Sequence, residues 1–162
     1  MRRLLWVGLI LLAAIAVVQA GTSEEQQIEE TIAAVVKAYS AGDYDTLRSY
    51  YAPDVTVVPG DYSPTLSGWS TVEPRYRQAH LAYGHIELVR ENTKVMRRGK
   101  IAWASYQWQL AGLRGKELLE VQGQTTLVLE KRKGHWLIVH NHTSLVPPRA
   151  EAPQPAAGQP KP

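Results

Sequence analysis

The residues best equipped for chemistry stand near the end of the chain, in Gly134-His135-Trp136-Leu137-Ile138-Val139-His140-Asn141-His142-Thr143-Ser144. On a strand of period two, Trp136, Ile138, His140, His142 and Ser144 share one face, and Leu137, Val139, Asn141 and Thr143 the other. Two imidazoles so spaced suit a metal whose third ligand comes from a neighbouring strand. They equally suit proton transfer, since imidazole titrates near neutral pH. Glu120, Glu130 and His80 are available as further ligands, but none stands at a diagnostic spacing. The plainer expectation is that His140 and His142 hydrogen-bond at a cavity rim or an interface, with no metal and no cofactor. Asp61, Tyr76 and His80 fall where a cavity mouth could form, so Asp61 and His80 are the candidate bases. Asp54, following Pro53, reads as a turn residue.

These groups need elements to hold them. Ser23-Glu24-Glu25-Gln26 is a helix start, with Ser23 as cap and Gln26 reaching back. Ile28, Ile32, Val35, Val36 and Tyr39 then recur at helical spacing. Gly42 stops that helix, and Asp43 caps a short second one running through Tyr51 and ending before Pro53. Val55 to Val58 is a short strand, and Gly60 to Gly68 a loop rich in turn formers. Trp69 to Ala82 is a third helix, with Pro74 tolerated in its first turn. Four long strand-like runs follow: Ile86–Met96, Ile101–Ala111, Leu118–Arg132 and Trp136–Val146. Glycine-bearing turns between them imply an antiparallel meander. Helices first and a sheet after make an α+β fold with the helices on one sheet face.

Composition narrows the function classes. The 162 residues contain no cysteine, which removes disulfides, thiol nucleophiles and thiolate ligands. Arg2-Arg3, the apolar run Leu4 to Val18 and Val18-Gln19-Ala20 have the layout of a cleaved secretory signal over residues 1–20. A run of fifteen is short for a membrane helix, which needs about 20 residues, so an N-terminal anchor is the lesser alternative. The expected location is secreted or periplasmic. Removing residues 1–20 takes away two arginines and no acid, so the net charge falls from +3 to +1. That balance gives no reason to expect a nucleic-acid partner. Residues 147–162 hold six prolines in sixteen positions and read as a disordered tail. The folded domain is therefore expected at 21–146. Two basic turns, Arg97-Arg98-Gly99-Lys100 and Lys131-Arg132-Lys133-Gly134, would meet at one end of a meander, and weak envelope association follows if they attract anionic lipid.

Tyr51-Ala52-Pro53-Asp54-Val55, Ile101-Ala102-Trp103, Gly123 with Thr126, and the closing stretch Gly134 to Ser144, in this order, resemble the SnoaL-like group of the nuclear transport factor 2-like superfamily. The closing stretch also resembles the association domain of calmodulin-dependent kinase II. The resemblance implies a cone-shaped fold: a strongly curved antiparallel sheet wrapped by three helices, a pocket between them, and an outer sheet face used for homodimers. By the same analogy Trp103, Ser105, Leu127, Asn141 and Thr143 face the pocket, with the aromatic Trp69 and Tyr76 as further lining. In the kinase domain arginines suited to an anion occupy the positions of Ser105, Leu127 and Thr143; this chain has none of them. His140 and His142 would then face a partner subunit. The function implied is a non-catalytic module that binds a small, largely apolar molecule. The alternative is an isomerase, cyclase or dehydratase using His80 or Asp61 as base, since fold alone does not choose.

Overall fold

The computed structural model describes residues 23–146; the expected signal segment 1–20 and the proline-rich tail 147–162 lie outside them. Helix α1 (Glu24–Ala41) starts where the Ser23 side chain accepts from the Gln26 N–H at 3.1 Å. The reciprocal bond is not made: the Gln26 side chain donates instead to Glu30, four residues on, at 3.2 Å. Ile28 and Ile32 are fully buried on the inner face of α1. Each such side chain contributes roughly 1.5–3 kcal/mol by leaving water. Gly42, left-handed at φ 67°, ends the helix and donates to the Tyr39 carbonyl. Asp43 then caps α2 (Tyr44–Tyr50), accepting from the Thr46 N–H at 3.0 Å and its hydroxyl at 2.6 Å.

The second helix stops one residue sooner than the sequence predicts, and Tyr51 opens strand β1 (Tyr51–Val58). Pro53 is the cause. It disfavours helical backbone at Ala52, and it needs no ladder hydrogen bond where β1 is irregular, between Tyr51 and Thr56. β2 (Leu66–Ser67) follows, then α3 (Trp69–Tyr83), entered through Gly68 with no side-chain cap. β3 (Ile86–Arg98), β4 (Ile101–Arg114), β5 (Glu117–Arg132) and β6 (His135–Val146) complete the chain.

The sheet order is β2-β1-β6-β5-β4-β3. β3 to β6 form the expected antiparallel meander, and β1 joins it parallel to β6, so the six-stranded sheet is mixed, curved and unclosed. α1 packs across β3 and α3 against β1. At the sheet edge, Ser40 of α1 accepts the Leu88 N–H at 3.2 Å and satisfies a donor the edge would expose.

β6 does not keep strict alternation. Its register on β5 shifts between the pairs Leu129–Ile138 and Val128–His140, so Val139 is an extra residue. Such a bulge re-phases the strand. Trp136 and Ile138 are buried in the core and share that inner face with Asn141, while His140 turns outward. The single-face grouping of Trp136 and Ile138 with His140 and His142 is thereby corrected.

Candidate functional site

A cavity of about 400 Å³ lies between the inner sheet face and helices α1 and α3. Tyr39 reaches it from α1, Tyr51 and Val57 from β1, and Arg75, Tyr76 and Tyr83 from α3. The sheet contributes Tyr106, Trp108, Thr125, Asn141 and Thr143, and the loop after β1 contributes Gly60 and Asp61. Apolar walls with a few convergent polar groups are the usual make-up of a small-molecule site.

The polar groups form one chain. Trp108 Nε1 donates to Thr125 Oγ1 at 3.1 Å, and Thr125 meets the Thr143 hydroxyl at 3.1 Å. Thr143 donates to Asn141 Oδ1 at 3.2 Å. Asn141 Nδ2 donates to the hydroxyls of Tyr51 and Tyr76, at 3.3 and 3.4 Å, and those hydroxyls lie 3.2 Å apart. The Val139 bulge makes this possible, because it turns Asn141 and Thr143 inward on a strand whose core residues are Trp136 and Ile138. Gly123 makes room for the first link: the Trp108 ring lies where its Cβ would be.

Electrostatically the cavity holds neutral hydroxyls. Burial raises the Tyr51 phenol and, well above its usual range, the Tyr76 phenol; it pushes Tyr39 up to about 12 and raises Tyr106 as well. The charged residues among the lining are Asp61 and Arg75, which pair with each other at the mouth. Hydrogen bonding from Ser63, with the Arg75 charge as a lesser cause, lowers the Asp61 carboxyl. Asp61 is thus a bound carboxylate.

The residues expected at the site divide four ways. Tyr76, Asn141, Thr143 and Asp61 line the cavity. Trp69 and Leu127 are buried beside it in the core, the Trp69 indole donating to Glu73 at 2.9 Å. Trp103 and Ser105 lie on the opposite sheet face. Ser105 pairs with Thr126 and Ala104 with Leu127, and directly paired residues share a face, so Trp103 and Ser105 cannot accompany Leu127. Their places are taken by Tyr106 and Trp108. His80 points away from the cavity into the α1–α2 corner. Its Nδ1 is 3.2 Å from the Tyr76 carbonyl, its ring meets Tyr39 and Tyr44 edge-on, and its Nε2 is buried without a partner among the described residues. The structure does not bring Asp61 and His80 together.

Tyr39, Tyr51, Tyr106, Trp108 and Thr125 are site residues that the sequence reading does not single out. For Tyr51 a signal existed, the proline two residues on that turns it into a strand.

His140 and His142 lie on the outer sheet face, where His140 Nδ1 is 2.7 Å from Thr56 Oγ1. Among the described residues no three His, Cys, Asp or Glu side chains cluster as metal ligands would. The two basic turns do meet, through the Lys131 N–H and the Lys100 carbonyl at 2.8 Å. Three of their six cations are already paired: Arg97 with Glu25, Lys131 with Glu24, and Arg132 with Asp54 and Glu130. That halves the charge available to an anionic surface.

Solved structures share this architecture. A candidate dehydratase of the NTF2-like family from Streptomyces avermitilis is 20% identical over 75% of this chain and 95% of its own, with a TM-score of 0.68. The CaMKII hub of S. rosetta is 17% identical over 78% of this chain and all of its own, TM-score 0.69. The Chlamydamonas reinhardtii CamKII hub homology domain is 21% identical over 76% and 99%, TM-score 0.66. At these identities the likeness shows the fold, an NTF2-like cone. No curated protein matches the chain in sequence. The family model of the SnoaL-like domain matches residues 28–148, and the chain belongs to that family.

Proposed function

We propose that this domain is an exported, self-associating binding module for a small, neutral, largely apolar molecule, and that it does not catalyse a reaction. One observation carries the reading: the polar side chains that converge inside the cavity are hydroxyls, a carboxamide and an indole, none of them charged, and the charges at the mouth are paired. A general base must reach its substrate unencumbered; Asp61 is held by Arg75, and His80 faces elsewhere. Export rests on the signal-like residues 1–20. Self-association is supported by the outer face, where Trp103 and Val128 are half-buried between Met96, 50% exposed, and Ile101, 42% exposed. Two of the similar structures are themselves hub domains.

The test is titration with neutral aromatic and aliphatic compounds, followed through Trp108 fluorescence and thermal stabilisation. Saturable binding is expected, and no response across the panel would overturn the reading. Turnover of a bound compound that is lost in Asp61→Asn would replace it with the base-catalysed one.

A further inference from the structure

We propose that the cavity selects ligands carrying a neutral hydrogen-bond acceptor, a ketone, ester or quinone carbonyl, through one phenolic proton that Tyr51 and Tyr76 leave unspent. This rests on reading the cavity as a binding site.

The inference follows from counting protons along the chain. Asn141 Oδ1 can only accept, so the bond from Thr143 uses the single Thr143 proton. The Thr125–Thr143 contact must then be donated by Thr125, and Thr125 in turn accepts from Trp108. The direction is fixed from Trp108 to Asn141. Both protons of Asn141 Nδ2 go to the two phenols. The phenols share one further bond, which uses one of their two protons. The phenol that receives it already accepts from Asn141, so both its lone pairs are filled and only its own proton remains. Among the described residues neither phenol has another hydrogen-bond partner. The relay therefore ends in a donor facing the cavity, held by a network whose geometry is set before any ligand arrives.

The unspent proton fits an oxygen that needs to give nothing back, as a carbonyl does. A carboxylate would also accept, but the one cation at the mouth is already matched by Asp61, and an anion inside would lie unpaired. A hydrocarbon of the same shape would leave the proton unsatisfied.

The experiment uses the full chain and three naphthalenes of one shape: 2-acetylnaphthalene, 2-isopropenylnaphthalene, in which C=CH2 replaces C=O, and 2-naphthoate. The ketone is expected to bind about tenfold more tightly than the alkene, and more tightly than the carboxylate. Tyr51→Phe and Tyr76→Phe should each keep the ketone preference, because removing one phenol frees the proton of the other. The double variant should abolish it. Tyr44→Phe, which alters a phenol packed on His80 outside the cavity, should leave it unchanged. If the double variant does not fold, the infrared carbonyl stretch of bound 2-acetylnaphthalene decides: a shift below its value in alkane supports the proposal and an unshifted band overturns it. Equal binding of ketone and alkene, tighter binding of the carboxylate, or a preference erased by Tyr44→Phe overturns the proposal and leaves the cavity reading standing. Absence of binding by all three overturns both.

Discussion

The Trp108 indole lies across the bare backbone of Gly123, its direct partner on β5. A Cβ on Gly123 would come within 2.4 Å of the ring and 2.3 Å of the Ser144 carbonyl. One of those obstacles is backbone, so the strand cannot yield without disturbing β6. Gly123→Ala should therefore cost about 1–3 kcal/mol, the usual range for an overpacked core. Urea unfolding measures the loss, and a shifted tryptophan emission should accompany it as the indole leaves Thr125. Unchanged stability would mean that the ring is not seated on the glycine.

Asn141 is the only member of the polar chain that joins the threonines to the tyrosines. Asn141→Leu keeps roughly its volume and removes an acceptor and two donors. The Thr143 hydroxyl then loses its acceptor in a buried setting, and a deserted buried polar group costs about 1–3 kcal/mol. We expect a loss of that size in urea unfolding, together with weaker binding of neutral ligands. The companion variant Asn141→Asp tests charge: a carboxylate there cannot donate to Tyr51 and Tyr76, and should destabilise most at neutral pH and less in acid, where it can be protonated.

The outer face supplies a separate prediction. Trp103 lies between Met96 on β3 and Val128 on β5, in register with both. A single apolar group on a surface needs no explanation, but a contiguous strip across three strands does. Trp103→Arg should shift the protein to a smaller species in light scattering over a range of concentrations, with its circular dichroism unaltered. Because the side chain points away from the cavity, ligand binding should persist. Loss of binding together with dissociation would show instead that the two faces are coupled.

The fold was legible because it depends on patterns that survive small errors: Ser23 and Asp43 as caps, helical spacing from Ile28 to Tyr39, glycine turns between long strands. The site depends on parity, which does not. Arg114 pairs with Glu117 across a two-residue turn, so every β4–β5 pair joins an even number to an odd one. Trp103 and Leu127, both odd, must then lie on opposite faces. A turn read only as somewhere between Gly112 and Gly115 leaves that open. Asn141 and Thr143 present the reverse case. They face the cavity because Val139 adds a residue to β6, and no glycine or proline marks the bulge. Tyr51 stands between these cases, since the restriction that proline places on the residue before it was readable and sufficient to end the helix.

Alkaline pH should unfold this protein through its cavity. In an unfolded chain tyrosine ionises near pH ~10. In the folded protein burial pushes Tyr39 up to about 12 and raises Tyr51, Tyr76 and Tyr106 as well. The folded state thus keeps protons that the unfolded state releases, and stability must fall with pH wherever this is so. The contribution is complete below about pH 10, where both states are protonated. It is lost as pH rises through the folded values. Melting temperature should therefore be flat up to about pH 9 and decline above about 10, with tyrosinate absorbance appearing together with unfolding rather than before it. Tyr39→Phe removes one of the coupled phenols and should make the decline shallower. If the absorbance of these phenols rose with a midpoint near 10 while the circular dichroism stayed native, the cavity would be open to solvent, and the neutral hydroxyl chain would not survive as the binding surface at that pH.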